Sequence, residues 1–134
     1  MKAAERFFDT NVLLYLLSVD QNKADRAEAE LTAGGSVSVQ VLNEFASVAS
    51  RKLGMPIPEI REALAAIRAV CRVEPVSEDT HDFGLKVAER YGLSVYDSMI
   101  VASALLAGCK SLLTEDMQDG QTFDGRLKVR NPFR

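Results

Sequence analysis

Short apolar runs alternate along the chain with longer segments in which apolar residues recur every three or four positions. The short runs are typical of strands and the longer segments of amphipathic helices. We predict strands at residues 6–9, 36–39, 72–76, 110–114 and 127–129. We predict helices at residues 12–17, 20–32, 40–53, 56–71, 77–91 and 96–107, and a loop at residues 115–125. The alternation predicts an α/β fold.

Strands separated by helices favour parallel β–α–β units joined by right-handed crossovers. We therefore predict one domain over residues 1–134 with three layers, helices, sheet and helices, in which the central sheet is mostly parallel and has four or five strands. The length of 134 residues fits a single domain. In such sheets ligands bind at the carboxyl ends of the strands. Polar side chains that follow strands or begin helices there are the functional candidates.

The composition is that of a globular protein with its own core, since 47% of residues are apolar and 26% are charged. The two cysteines, Cys71 and Cys109, have neither zinc-site spacing nor disulfide density, which favours reduced core residues in a cytoplasmic protein. The apolar run at residues 99–107 is too short for a membrane span, and the N-terminus shows no signal-peptide pattern. We expect a cytoplasmic protein without membrane contact.

The net charge of −3, from 16 basic and 19 acidic side chains, does not mark the chain as a nucleic-acid binder. Any such binding has to use local basic patches. Two sets of basic residues are candidates, although solvated faces or helix ends are the favoured explanation for each set. The sets are Arg126, Lys128, Arg130 and Arg134, and Arg51, Lys52, Arg61, Arg68 and Arg72.

Two acids come directly after predicted strands. Asp9 follows the apolar pair Phe7 and Phe8, and Asp116 follows the run that ends at Thr114. Helix capping is an alternative explanation for Asp9, because aspartate is a good N-cap. Turn chemistry is the alternative for Asp116 and its acidic neighbours in the same loop. Both acids are predicted at the edge of the sheet where ligands bind.

Glu44 lies inside an amphipathic helix, with Val41 three residues before it and Val48 four residues after it. This spacing places the glutamate on the apolar face or at its inner edge. The alternative is a boundary glutamate whose carboxylate reaches solvent. A helix that only covers the sheet would carry its glutamates on the opposite face.

Asp97 begins the most apolar helix and shares its face with Ile100 and Val101. A capping box with Ser94 is the alternative explanation, and it is compatible with a metal site because both need the carboxylate at the helix N-terminus. Asp9, Glu44, Asp97 and Asp116 thus map to one edge of one sheet. Clustered carboxylates repel one another and raise one another's pKa, which a divalent cation relieves. All-oxygen ligands select a hard cation, Mg²⁺ or Mn²⁺.

The missing residue types narrow the chemistry further. His81 is the only histidine and is predicted on a polar helix, so histidine-based hydrolysis and zinc sites lack their partners. The chain contains neither GxGxxG nor GxxxxGK[ST], the glycine-rich turns that hold dinucleotides and nucleoside triphosphates. A pair of hard cations can stabilise both the attacking and the leaving oxygens of a phosphodiester.

The chain resembles the PIN-domain nucleases and, within them, the VapC-type toxins of bacterial toxin–antitoxin pairs. Four segments in the family's order carry the resemblance: FFDTNVLLYLL (7–17), NEFA (43–46), YDSMIVASALLAGC (96–109) and LLTEDMQDG (112–120). The resemblance implies that Asp9, Glu44, Asp97 and Asp116 form the catalytic acids. Asp9 and Asp97 would be the principal metal ligands, with Asp116 and Glu44 completing the shell directly or through water.

The resemblance also implies that Thr10, Asn11 and Thr114 orient the carboxylates. Glu115 and Asp119 remain alternatives to Asp116 as the fourth acid. The implied reaction is Mg²⁺- or Mn²⁺-dependent hydrolysis of RNA by an activated water, without a covalent intermediate. The implied partners are RNA, a small antitoxin protein and a second copy of the chain in a homodimer.

Three other functions are compatible with part of the pattern. A haloacid-dehalogenase-type phosphatase has a second aspartate two residues after the first, where this chain has Asn11. A receiver domain needs an acid after its third strand that Glu74 and Pro75 do not supply. A PIN-like module that binds RNA or a protein without cleaving it is the third, and the presence of all four acids argues against it.

Overall fold

The computed structural model describes residues 5–134. Within this range the strands are β1 (Arg6–Phe8), β2 (Gly35–Ser38), β3 (Cys71–Glu74), β4 (Ser111–Leu113), β5 (Thr122–Phe123) and β6 (Leu127–Arg130). The helices are α1 (Thr10–Leu14), α2 (Gln21–Thr32), α3 (Val39–Leu53), α4 (Ile57–Val70), α5 (Glu78–Tyr91) and α6 (Val95–Leu106). A 3₁₀ turn over Tyr15–Leu17 follows α1 directly. The predicted α/β fold is confirmed.

The described strands form one sheet in the order β3-β2-β1-β4-β6-β5. All neighbouring strands are parallel except β5 and β6, which are antiparallel. Within residues 5–134 the sheet has six strands, not the predicted four or five. The additional strand is β5, inside the segment predicted as a loop. Its two residues are too few to show any period, and only pairing with β6 makes them a strand.

The central strands are buried on both faces. Every residue of β1, β2 and β4 is buried, including Phe7, Phe8, Leu112 and Leu113. This explains why β1 and β4 contain adjacent apolar residues in the sequence, as expected of a parallel sheet covered by helices on both sides. Helix α6 is buried along most of its length and packs on α5. Among residues 5–134, no helix combines the length and the apolar character needed to cross a bilayer.

Helix boundaries follow local capping chemistry. Ser77 caps α5 in a capping box with Thr80, which decides between the two predicted caps. Gly54 ends α3 in the left-handed conformation that glycine adopts without strain. Helix α4 was predicted to include Cys71, which is wrong, because the backbone is already extended there and pairs with Gly35 of β2. The apolar period cannot separate a last helical turn from a strand that continues the same buried face.

A buried ion pair ties the first strand to α2. Arg6 is 6% exposed, and its guanidinium donates to the Glu30 carboxylate and to the carbonyl oxygens of Glu30 and Gly34, at 3.2 and 2.9 Å. Burial lowers the pKa of Arg6, and the charge of Glu30 opposes that effect. Arg130 of β6 also reaches Glu30, at 3.2 Å. Glu30 therefore neutralises two cations from two different strands.

Replacing Glu30 by glutamine should destabilise the fold by about 3 kcal/mol, because it leaves the Arg6 guanidinium buried without a counter-charge. Equilibrium unfolding in urea measures this difference. The matched control is Arg26→Gln, since Arg26 pairs with Glu30 only at 3.8 Å and its side chain is 54% exposed. We expect the control to cost less than about 1 kcal/mol. Equal losses for the two variants would contradict the assignment of Glu30 as the partner of Arg6.

Candidate functional site

Asp9 lies at the carboxyl end of β1, where it is also the N-cap of α1. Its side chain is only 5% exposed. Oδ1 accepts a hydrogen bond from the Thr10 backbone N–H at 2.7 Å, and Oδ2 accepts from the Thr114 hydroxyl at 2.9 Å and the Asn11 amide at 3.2 Å. Asp9 therefore caps helix α1 and also places a carboxylate at the candidate site. All three donors are neutral, so they orient the carboxylate without cancelling its charge.

Sheet register brings Thr114 and Asp116 to Asp9. Strand β1 pairs with β4 so that Phe8 is opposite Leu113, and the Asp9 N–H donates to the Leu113 carbonyl at 3.0 Å. The residue after Leu113, Thr114, is fully buried against Asp9. Two residues further on, the Asp116 N–H donates to the Thr114 hydroxyl oxygen at 3.1 Å. Residues more than 100 positions apart therefore meet at the edge predicted from the sequence.

The Asn11 side chain connects the two ends of this arrangement. Its amide nitrogen donates to the Asp116 carboxylate at 2.9 Å and to the Thr114 hydroxyl at 3.0 Å, besides its bond to Asp9. Its carbonyl oxygen accepts from the Glu115 N–H at 3.1 Å. Asn11 therefore holds the loop after β4 against the carboxyl end of β1.

Asp97 completes a group of three carboxylates. It lies half-buried in the first turn of α6, where Ser94 Oγ accepts a hydrogen bond from the Asp97 N–H at 3.2 Å. The charges of Asp97 and Asp116 both act on Asp9, and the charge of Asp116 acts on Asp97. Asn11 and Thr114 link Asp116 to Asp9, and Asp97 is near enough for its charge to act on Asp9; we call these three acids the acid cluster.

Burial is the main cause of the unusual electrostatics of the acid cluster. It raises the pKa of Asp9 to about 6, and repulsion from Asp97 and Asp116 adds to the shift, while bonds from Thr114 and Thr10 oppose it. Burial also raises the pKa of Asp97, opposed by a hydrogen bond with Ser94 and reinforced by Asp116. Within residues 5–134, these three acids form no ion pair with any lysine or arginine. The negative charge of the cluster is therefore not compensated by the described side chains.

Glu44 lies at the margin of the acid cluster. It is half-buried on α3, and its Oε1 accepts from the Gln40 amide at 3.1 Å and from the Thr10 hydroxyl at 3.4 Å. Glu44 is not among the groups whose charge shifts the pKa of Asp9 or Asp97. Its connection to Asp9 runs through Thr10, which follows Asp9 in the chain. Glu44 is therefore at the same edge of the sheet, but the Thr10 side chain lies between it and Asp9.

The two alternatives to Asp116 have other partners. The Glu115 carboxylate accepts a hydrogen bond from the Tyr15 hydroxyl, and Asp119 Oδ1 accepts from the Asn131 N–H at 2.9 Å. Asp116 is the acid of this loop that Asn11 and Thr114 hold next to Asp9. The geometry therefore favours Asp116 over both neighbours.

The ligand atoms of the acid cluster fit a hard divalent cation, because they are carboxylate oxygens. Its uncompensated charge and the raised pKa values of Asp9 and Asp97 also favour cation binding. In the described part of the chain, no three carboxylate, imidazole or thiolate groups are close enough to enclose an ion by themselves. A cation such as Mg²⁺, which keeps several of its own waters, is consistent with this open arrangement.

The histidine and the two cysteines are not part of the acid cluster. His81 is exposed, as predicted. Cys71 and Cys109 are buried and form no disulfide, and burial raises the pKa of each thiol to about 11. Both thiols are therefore protonated at neutral pH, and the interpretation of the cysteines as core residues is confirmed.

Sequence reasoning missed three residues around the site. The Tyr15 hydroxyl donates to Glu115 and accepts from the Lys23 ammonium at 3.1 Å. Gln40 donates both to Glu44 and, at 3.2 Å, to the carbonyl oxygen of Tyr96. Tyr15 lies in an apolar run and Gln40 near a helix start, where periodicity carries no sign of a polar contact. Tyr96 could have been found, because a tyrosine beside a candidate acid is an unusual choice for a helix start.

The PIN domain family matches residues 6–118, which include all four predicted acids, and the chain belongs to this family. The resemblance stated from the sequence motifs is therefore confirmed. The haloacid-dehalogenase-type phosphatases and the receiver domains, which were the alternatives from the sequence, belong to families other than the PIN domain family. No curated protein matches the chain.

Solved structures with the same fold include a toxin and a chain of a toxin–antitoxin complex. A chain of a toxin–antitoxin complex from Klebsiella pneumoniae is 25% identical, with a TM-score of 0.69 over 95% of this chain and 97% of that one. VapC20 of Mycobacterium tuberculosis, a Sarcin-Ricin loop cleaving toxin, is 21% identical, with a TM-score of 0.63 over 80% and 86%. FitAcB from Neisseria gonorrhoeae is 20% identical, with a TM-score of 0.69 over 96% and 98%. The last two establish similarity of fold.

Proposed function

We propose that the protein is a metal-dependent endoribonuclease and the toxin of a toxin–antitoxin pair. The observation that carries the proposal is the acid cluster itself, three carboxylates at one sheet edge without a compensating cation among the described side chains. Membership of the PIN domain family and the toxins among the solved relatives support a nuclease of this class. The VapC20 relative is a Sarcin-Ricin loop cleaving toxin, which supports RNA as the substrate.

In this proposal Asp9, Asp97 and Asp116 hold Mg²⁺ or Mn²⁺, and Glu44 completes the shell directly or through water. The bound cation would polarise the phosphodiester and lower the pKa of an attacking water. Asn11 and Thr114 keep the carboxylates of Asp9 and Asp116 in fixed orientations through the bonds described above. The protonated thiols and the exposed histidine favour direct attack by water over a covalent intermediate.

The proposed partners are RNA, a small antitoxin protein and a second copy of the chain. The Klebsiella pneumoniae relative is part of a toxin–antitoxin complex, which supports the antitoxin. An uncompensated acid cluster suits an inhibitor that brings a basic side chain to the site. The homodimer and the cytoplasmic location rest on the family resemblance and on composition.

Cleavage of total cellular RNA by the purified, antitoxin-free protein tests the proposal. Discrete fragments should form with Mg²⁺ or Mn²⁺ and should be absent in EDTA. Absence of cleavage by folded protein under all three conditions would favour a module that binds without cutting. Metal-dependent release of phosphate from small esters, without RNA cleavage, would replace the nuclease with a phosphatase.

Replacing Thr114 by the isosteric valine should lower the cleavage rate by about 10- to 100-fold, the usual effect of removing a residue that orients metal ligands. The hydroxyl donates to the Asp9 carboxylate and accepts from the Asp116 N–H, so its loss frees the Asp9 carboxylate and removes a bond that holds the Asp116 backbone. Initial rates over a range of Mg²⁺ concentrations measure the effect. Thr122→Val is the control, because Thr122 is exposed on β5 outside the acid cluster. Equal rates for Thr114→Val and wild type would exclude the orienting role.

A further inference from the structure

A cavity of about 670 Å³ lies next to the acid cluster, between α3 and the start of α6. Its volume falls in the range of roughly 300–1,000 Å³ that is typical of pockets for nucleotide-sized ligands. Glu44, which contacts Thr10 beside Asp9, lines this cavity together with Tyr96, the residue before Asp97. The cavity therefore shares a wall with the proposed reaction site.

Tyr96 is the most unusual residue in this wall. Its side chain is 70% exposed, and it is the one exposed aromatic residue among residues 5–134. The Gln40 amide donates to the Tyr96 carbonyl oxygen and to the Glu44 carboxylate, which fixes the tyrosine backbone relative to the site. Exposure of a large aromatic ring has no benefit for the fold, since the ring buries little area. Its position beside Asp97 points to a ligand that stacks on it.

The other walls of the cavity combine apolar, amide and cationic groups. Val39 and Val76 are 40% and 43% exposed and form apolar sides. Asn43 contributes a side-chain amide at the rim. The Arg51 guanidinium lies at another part of the cavity, where its Nε donates to Ser47 Oγ at 3.0 Å. Within the described residues, Arg51 forms no ion pair with a carboxylate.

We propose that this cavity binds a base of the single-stranded RNA next to the cleaved bond, with Tyr96 stacking on the base and Arg51 contacting a phosphate. The identity of the ligand rests on the proposed nuclease function. Stacking on an aromatic ring accepts any base, while side-chain amides distinguish base edges. The pocket therefore contributes affinity through Tyr96 and base preference through the side-chain amide of Asn43.

Binding is measured in the Asp9→Asn background with Mg²⁺, so that the RNA stays intact. The probes are short fluorescein-labelled oligoadenylate and oligouridylate, followed by fluorescence anisotropy. Tyr96→Ala should weaken binding by about 10- to 100-fold, as expected for the loss of one stacked base, while Tyr96→Phe should retain it because the ring remains. Val95→Ala is the matched control, since Val95 is also exposed at the start of α6 but does not line the cavity.

Two further measurements test whether Tyr96 stacks on a base and whether Arg51 contacts a phosphate. The chain has no tryptophan and three tyrosines, so tyrosine emission is observable directly. RNA should quench this emission in the Asp9→Asn protein, and Tyr96→Phe should remove most of the quenching while RNA still binds. Arg51→Gln should lower the slope of log Kd against log salt concentration by about 0.7, the value for one phosphate contact on a single strand.

Equal affinities for Tyr96→Ala, Val95→Ala and their parent would overturn the base pocket, as would a failure of the parent to bind either probe. Loss of self-association in Tyr96→Ala by light scattering, with RNA affinity unchanged, would instead assign the cavity to a contact between two copies. Cleavage of total RNA by the wild-type protein reports separately on the nuclease. If the protein cleaves RNA but RNA binding does not depend on Tyr96, only the base pocket is contradicted. If RNA binding depends on Tyr96 but no RNA is cleaved, only the nuclease function is contradicted.

Discussion

Asp9→Asn and Asp97→Asn should each lower RNA cleavage by about a thousandfold or more, which corresponds to a loss of about 4 kcal/mol of transition-state stabilisation. Asparagine keeps the size and the hydrogen-bond acceptor of aspartate but removes the charge that would bind the cation. Asp9 accepts bonds from three neutral donors, and its amide replacement can still accept one or two of them. The fold should therefore survive while the activity is lost.

The measurement is the initial rate of fragment formation from total RNA at saturating Mg²⁺, with far-UV circular dichroism to verify folding. Asp119→Asn is the matched control, because it changes an acid of the same loop whose carboxylate contacts the Asn131 N–H instead of the acid cluster. We expect the control to cleave like the wild type. Full activity in Asp9→Asn would show that the acid cluster is not the reaction site.

The metal-free protein should lose stability as pH rises from about 4 to 7, and Asp9 should be the largest single cause. Its folded pKa of about 6 is above the ordinary value of 3.8. Below both values the carboxyl is protonated in the folded and unfolded states and costs nothing. Between them the unfolded chain releases its proton while the folded protein retains it, so rising pH favours unfolding. Above pH 6 the cost reaches about 3 kcal/mol.

Urea unfolding in EDTA at several pH values measures this dependence. The difference in unfolding free energy between Asp9→Asn and wild type measures the contribution of Asp9, including its repulsion with Asp97 and Asp116, because groups remote from it titrate equally in both. The variant should be more stable by a margin that grows as pH rises from about 4 to 6 and is constant above that range. Mg²⁺ at neutral pH should stabilise the wild type, by about 2.7 kcal/mol at a hundred times its Kd, and should have little effect on the variant. Parallel pH profiles for the two proteins would contradict the raised pKa.

Much of the site was predictable because each acid is next to a local signal. Asp9 and Asp116 follow apolar runs that become β1 and β4, and a parallel sheet aligns the ends of such strands. Glu44 and Asp97 stand out because they interrupt the apolar face of a helix. Two of the local alternatives are also present in the structure, since Asp9 caps α1 and Ser94 caps α6 through the Asp97 N–H.

The choice among neighbouring acids was not predictable from the sequence. Asp116, Glu115 and Asp119 lie within five residues of one loop, and local turn chemistry suits each of them. Asn11, which is more than 100 residues away in the chain, decides the matter by donating to the Asp116 carboxylate. Glu115 instead accepts a hydrogen bond from the Tyr15 hydroxyl, and Asp119 accepts one from the Asn131 N–H.

The sequence by itself determined the α/β class, the order of the helices and of the strands other than β5, and the edge of the sheet at which Asp9 and Asp116 lie, because these follow from short-range periodicity and from the rule that parallel strands end together. Tertiary structure alone decided the pairing of β5 with β6, the neutralisation of Arg6 by Glu30, and the division between acids that face Asp9 and acids that do not. Each of these depends on contacts between residues far apart in the chain. Such contacts leave no periodic trace, since either partner alone looks like an ordinary surface or loop residue.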